Sequence, residues 1–92
     1  EETFNEGDRH ALKRAGGLLR PGAPDWDVMI AAALKRLAGA PEGYLLVANH
    51  ESTDNLGGGD NASGVLTAAA AADRAIGLAL AEAARDPELT VV

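Results

Sequence analysis

A short apolar run, followed by a polar loop and a long helical pattern, constrains this fold most strongly. The run Tyr44–Ala48 has the length and lack of alternation that are typical of a strand buried in a parallel sheet. The polar, glycine-rich loop spans residues 49–61, and apolar residues then recur at helical spacing from Ala62 to Asp86–Pro87. The segment Glu88–Val92 predicts a second strand. We therefore expect two parallel strands joined by a right-handed helical crossover.

An amphipathic helix is predicted before the first strand. Asp25 follows Pro24 and suits an N-cap, whereas Gly39 and Pro41 end the helix, which gives a range of Trp26–Ala38. The predicted fold class is therefore α/β: a helix–strand–loop–helix–strand fragment of a larger parallel-sheet sandwich domain. The apolar residues at helical spacing in this helix are Trp26, Met29, Ile30, Ala33, Leu34 and Leu37.

The second helical pattern predicts a cap and a buried stripe. Asn61 or Asp60 suits the N-cap, because either side chain can accept a hydrogen bond from a backbone N–H. Arg74 and Arg85 are expected to be solvated side chains on this helix. The residues expected to face the core are Val65, Ala69, Ala72, Ile76, Leu80 and Ala83.

The composition predicts a piece of a larger domain. Hydrophobic residues make up 47% of the chain, but nearly half of them are alanine, which buries little surface. A two-stranded parallel sheet also cannot cover both of its faces. We expect truncation at both ends, with residues 1–24 as an irregular surface connection and residues 25–92 as a partial α/β unit. Gly16–Gly17 and the stretch Pro21–Pro24 mark that connection.

Charge and cysteine content exclude several functional classes. The net charge of −6 argues against nucleic-acid binding, since phosphates would be repelled. The absence of cysteine removes disulfides, thiolate metal sites and a cysteine nucleophile. No uninterrupted apolar run reaches the roughly 18 residues that a bilayer requires, so no membrane span is predicted.

The loop at residues 49–61 contains the candidate ligands. In open parallel sheets ligands bind beyond the carboxyl ends of strands, where this loop is expected to lie. Carboxylate oxygen and imidazole nitrogen suit zinc, and carboxylates suit magnesium. A solvated connection rich in turn residues explains the same composition, so spacing leaves both interpretations open. The candidates are His50, Glu51, Asp54 and Asp60.

The sequence from Pro41 to Val92 resembles the alkaline phosphatase family. The first similar stretch, Gly43–Val47, corresponds to the buried strand that leads into the family's metal loop. The predicted helix at Trp26–Ala38 also fits the family. The remaining similar stretches are Asp54 with Asn61–Gly64, Asp73–Leu80, Ala83–Pro87 and Leu89–Val92.

This resemblance implies hydrolysis of phosphate monoesters by two zinc ions and a magnesium ion. A serine or threonine nucleophile would lie upstream, so no catalytic residue is assigned here, and an Ala-Asp-His metal motif would begin just past Val92. The two zinc ions of the family stabilise the attacking and leaving oxygens. The resemblance further implies a periplasmic or secreted parent protein that forms a homodimer. The isolated fragment is expected to be inactive.

When the family's metal ligands are assigned residue by residue, this sequence retains only part of the set. Asp54 matches the zinc-binding aspartate of the family. The zinc-binding histidine falls on Gly58, which cannot ligate, and the magnesium-binding glutamate falls on Asn49, a neutral oxygen ligand. Glu51, His50 or Asp60 would have to substitute. This assignment requires the Asp54 carboxylate to face a cation rather than bulk solvent.

Two non-catalytic interpretations stand beside the hydrolase. The neutral residues at two ligand positions, Asn49 and Gly58, are typical of a pseudo-phosphatase segment that acts as an interaction module. A small alanine-rich helical interaction protein, without strands, would also explain the composition.

Overall fold

The computed structural model describes residues 22–92, and this part of the chain is helical. Its helices are α1 (Trp26–Leu37), α2 (Ser52–Gly58) and α3 (Ala62–Ala83). Both α1 and α2 pack against α3, which is the longest of the three. The predicted surface connection at residues 1–24 lies outside the described residues, apart from its last three.

Helix α1 begins and ends almost where the sequence predicts. The Asp25 carboxylate accepts a hydrogen bond from the Trp26 backbone N–H at 2.9 Å, which confirms Asp25 as the N-cap. At the other end the Ala38 N–H donates to the Leu34 carbonyl, and the chain then turns. Ile30 is buried, and the other residues of the predicted stripe are half-buried, as expected for a helix with one apolar face.

The segment predicted as a loop contains helix α2. Leu56 is 2% exposed and anchors this helix, with Ser52 also buried one turn earlier. The Asn61 N–H donates to the Leu56 carbonyl and the Asp60 N–H to the Gly57 carbonyl, which closes the helix with a Schellman motif. Asp60 takes the left-handed position of that motif, with φ of +56°. Three consecutive glycines concealed this helix, because glycine disfavours helices in isolation.

Helix α3 has the predicted cap and a different buried face. The Asn61 side-chain oxygen accepts a hydrogen bond from the Gly64 N–H at 2.8 Å, which confirms Asn61 as the N-cap. The predicted stripe is wrong, since Ile76 and Leu80 are 52% and 55% exposed. Small side chains let α1 and α2 approach α3 closely, and this packing selects the alanine face. The buried residues of α3 are Gly64, Ala68, Ala71 and Ala75.

The predicted α/β class is wrong for residues 22–92, in which no β-strand forms. The segment Tyr44–Ala48 is irregular, and burial alternates along it. Tyr44 and Leu46 are half-buried, whereas Leu45 and Val47 are 87% and 80% exposed. The segment at residues 88–92 is also irregular. A strand exists only through ladder hydrogen bonds to a neighbour, and these two segments form none with each other. The parallel-sheet sandwich expected from the sequence is therefore absent from this part of the chain.

Both apolar segments nevertheless line one groove with the helices. Trp26, Ile30 and Leu34 of α1 form one wall, and Ala75 and Ala79 of α3 contribute to another. Residues 44–48 and 89–92 complete a cavity of about 460 Å³. The two apolar segments therefore line a groove with α1 and α3, but they do not form strands.

Helix α3 is long and apolar enough, by length and composition, to cross a membrane. Only 22% of its most apolar window is buried. Core helices of soluble proteins meet the same criteria, so this observation is weak evidence for a span. The prediction that this segment contains no membrane span is nevertheless not confirmed. The charged pair Asp73–Arg74 lies in the middle of this helix.

Candidate functional site

The start of the candidate metal loop carries two oxygen-bearing side chains in contact. The Asn49 amide Nδ2 donates to Glu51 Oε1 at 3.0 Å, and both residues are exposed. The glutamate is therefore held beside the position that the phosphatase resemblance assigns to a magnesium ligand. This contact uses one carboxylate oxygen of Glu51 and the donor group of Asn49.

Asp54 lies on α2 and is exposed to solvent. Its backbone N–H donates to the Glu51 carbonyl at 3.0 Å, so the helix begins immediately after the Asn49–Glu51 contact. The expectation that its carboxylate faces a cation is not met among residues 22–92, so the phosphatase assignment now depends on side chains from outside these residues covering Asp54. Asp54 and Gly58 are four residues apart and share one face of α2. A Cβ placed on Gly58 would meet no heavy atom within 4 Å, so this face has room for a side chain.

Asp60 lies beyond α2 in the turn that leads to α3, and it is also exposed. Residues 22–92 contain no group of three or more His, Cys, Asp or Glu side chains placed to hold a metal ion. Structural zinc needs four ligands and catalytic zinc three, so the donors described here do not fit either kind of site. They likewise do not fit magnesium, and we derive no step through a metal. The nucleophile stays unassigned.

A ring contact joins the start of the loop to α1. The Trp26 and His50 rings are 4.7 Å apart between centroids, with an angle of 58° between their planes. Partial burial lowers the pKa of His50, and the negative charge of Asp25 partly opposes that effect. The two residues are 24 positions apart, and no spacing rule in the sequence predicts their contact.

Arg74 connects α3 to the first turn of α1. Its Nε donates to Asp27 Oδ2 at 2.6 Å and its Nη2 donates to Asp25 Oδ2 at 3.0 Å. The hydrogen bond from Arg74 lowers the pKa of Asp27, and the same bond raises the pKa of Arg74. The Arg74 side chain is 51% exposed, as predicted for a solvated residue, and it also forms ion pairs that the sequence does not predict. Its partners lie 47 and 49 residues away, which explains why local sequence could not reveal them.

Comparison with protein families, curated proteins and solved structures finds no match to this chain. The similarity to alkaline phosphatases therefore stays a prediction from the motifs quoted above.

Proposed function

We propose that this chain is one segment of an alkaline-phosphatase-like phosphomonoesterase and contributes one ligand-bearing loop to it. On its own the segment neither holds zinc or magnesium nor hydrolyses phosphate monoesters. The remaining ligands and the nucleophile would come from chain outside residues 22–92. The phosphate monoester substrate, the homodimer and the periplasmic or secreted location follow from the resemblance alone.

The observation that carries this proposal is the arrangement of the family's ligand positions around α2. Asp54 and position 58 share one helix face, and position 58 is sterically open. The Asn49–Glu51 contact lies directly before that helix. These are the positions that the resemblance assigns to metal ligands, and Gly58 and Asn49 lack the ligand groups that the family uses there.

A second candidate is a non-catalytic helical interaction module. The absence of strands among residues 22–92 and the exposure of the Asp54 carboxylate favour it. The apolar groove between α1, α3 and the two irregular segments would then serve association instead of packing within a larger enzyme. The two candidates differ in whether the loop is built to receive a metal ion.

Restoring the missing ligands tests this difference. The variant Asn49→Glu/Gly58→His in the full 92-residue chain places a histidine one turn from Asp54 and a carboxylate at position 49. We expect zinc affinity in calorimetry to rise at least about tenfold over the natural chain, which corresponds to about 1.4 kcal/mol. The natural chain should show no stoichiometric zinc binding and no turnover of an aryl phosphate above a metal-only blank.

Gly77→His is the matched control. It creates the same four-residue spacing between Asp73 and a histidine on α3, again at a glycine with nothing within 4 Å of its Cβ, but away from Asn49 and Glu51. Circular dichroism verifies that each variant keeps its helices. If the restored loop binds zinc no better than this control, the phosphatase assignment fails and the interaction module is favoured. Turnover by the natural chain would instead refute the claim that the segment is inactive alone.

A further inference from the structure

A continuous series of contacts connects α3 to the start of the candidate metal loop. Arg74 of α3 holds Asp25 and Asp27, which flank Trp26 at the start of α1. Trp26 in turn packs on His50, whose neighbours Asn49 and Glu51 form the hydrogen-bonded pair described above. Each step is a direct side-chain contact or a peptide bond.

We propose that Arg74 is a positioning residue: acting through the first turn of α1 and through Trp26, it fixes the place of His50 and so of the start of the loop. Any consequence of this positioning for a metal loop rests on the proposed function. The positioning itself depends only on the contacts between α3, α1 and the loop.

The hydrogen bonds at Asp25 strengthen the first contact of this series, which joins Arg74 to the start of α1. One carboxylate oxygen of Asp25 caps α1 by accepting from the Trp26 N–H, while the other accepts from Arg74. The guanidinium also reaches Asp27, so two points on the first turn of α1 are held at once. A planar, forked guanidinium suits two fixed acceptors, whereas a lysine ammonium is a single point charge. Rotation of α1 about its axis is thereby restricted, and with it the direction of the Trp26 ring.

The second step depends on the ring contact. His50 is half-buried and packs on Trp26, while Tyr44 and Leu46 before it are half-buried and line the groove. The place of the Trp26 ring therefore determines where the polar loop begins. If α1 turned, His50 would lose its partner and Asn49 and Glu51 would move with it.

The aromatic ring current of Trp26 provides the measurement. In the full chain with His10→Asn, so that His50 is the sole histidine, the His50 ring protons are observed by NMR at a pH where the imidazole is neutral. We expect a ring-current shift of these protons that Trp26→Leu abolishes. Arg74→Gln should remove most of the same shift, and Arg74→Lys should restore part of it.

Arg85→Gln is the control, because Arg85 lies just beyond α3, pairs locally with Glu82 in the last turn of that helix, and should leave the His50 shift unchanged. An unchanged shift in Arg74→Gln would overturn the proposal. A loss of helical circular dichroism in proportion to the lost shift would also overturn it, since Arg74 would then only stabilise the fold. The measurement needs neither metal nor substrate. Failure of zinc binding by the restored loop therefore counts against the proposed function and leaves the positioning role standing.

Discussion

The hydrogen bond between Asn61 and Gly64 makes the sharpest stability prediction, because one residue both follows α2 and caps α3. The Asn61 side-chain oxygen lies 2.8 Å from the Gly64 nitrogen, and Asn61 is 6% exposed. Asn61→Ala removes that acceptor and leaves the buried Gly64 N–H without this partner. Loss of an N-cap costs about 1 kcal/mol, and a buried unpaired N–H costs about 1–3 kcal/mol.

These two values describe the same lost bond, so we count it once and expect a loss of about 1.5 kcal/mol. A chain of this size has a total stability of the order of 5 kcal/mol, so the change removes a substantial part of it. Urea unfolding followed by helical circular dichroism measures this loss. With an m-value of about 1 kcal/mol/M, the midpoint should fall by about 1.5 M.

Two variants act as controls for this experiment. Asn61→Asp keeps an acceptor at the N-terminus of α3 and should unfold close to the natural chain, since a carboxylate also interacts favourably with the helix dipole. Ser63→Ala changes an exposed residue in the first turn and should have little effect. The reasoning would be refuted if Asn61→Ala lay within about 0.3 kcal/mol of the natural chain. It would also be refuted if Ser63→Ala were equally destabilising.

Three further changes test other contacts of the described residues. Asp60→Gly should raise the free energy of unfolding by about 0.5 kcal/mol, because the left-handed φ of +56° strains any residue with a Cβ; urea unfolding measures it. Leu56→Ala should lower the same quantity by about 2–3 kcal/mol, because Leu56 is 2% exposed and its removal leaves a cavity. Asp27→Asn should alter acid unfolding. Arg74 lowers the pKa of Asp27, so ionised Asp27 stabilises the natural chain. This stabilisation is lost as the pH falls from 3.8 through the lower pKa of Asp27 in the folded chain. The asparagine variant has no such loss, which acid unfolding followed by circular dichroism measures.

Local sequence predicted the helices well where capping residues mark their ends. Asp25 and Asn61 each accept a hydrogen bond from the backbone of the helix that they begin, as expected for these residue types. Such signals act within a few residues, so they need no knowledge of the tertiary structure. The α2 helix lacked any such signal at its start, since its N-cap Glu51 makes no side-chain cap hydrogen bond.

The errors arose where packing between distant elements decided the outcome. The choice between the Ile76 and Ala75 faces of α3 depends on how closely α1 approaches, which the periodicity of an alanine-rich helix does not encode. The apolar run at Tyr44–Ala48 has the composition of a buried strand. Its alternate side chains face solvent here, because a buried strand needs a partner as well as apolar residues. The pairing of Arg74 with Asp27 likewise joins residues that are far apart in the sequence, so local patterns do not predict it.

In the candidate site, residue spacing determines which positions share a helix face, whereas residue identity determines whether those positions can bind a metal ion. A separation of four residues puts Asp54 and position 58 on one face of α2 whether or not a metal ion is bound there. The shared face is therefore compatible with a metal loop but does not by itself indicate one. Metal chemistry at this loop needs further donors beside Asp54, and residues 22–92 bring no metal-holding group of donors together there. Any catalytic role of Asp54 consequently requires side chains from outside this part of the chain, whereas a role in association requires none.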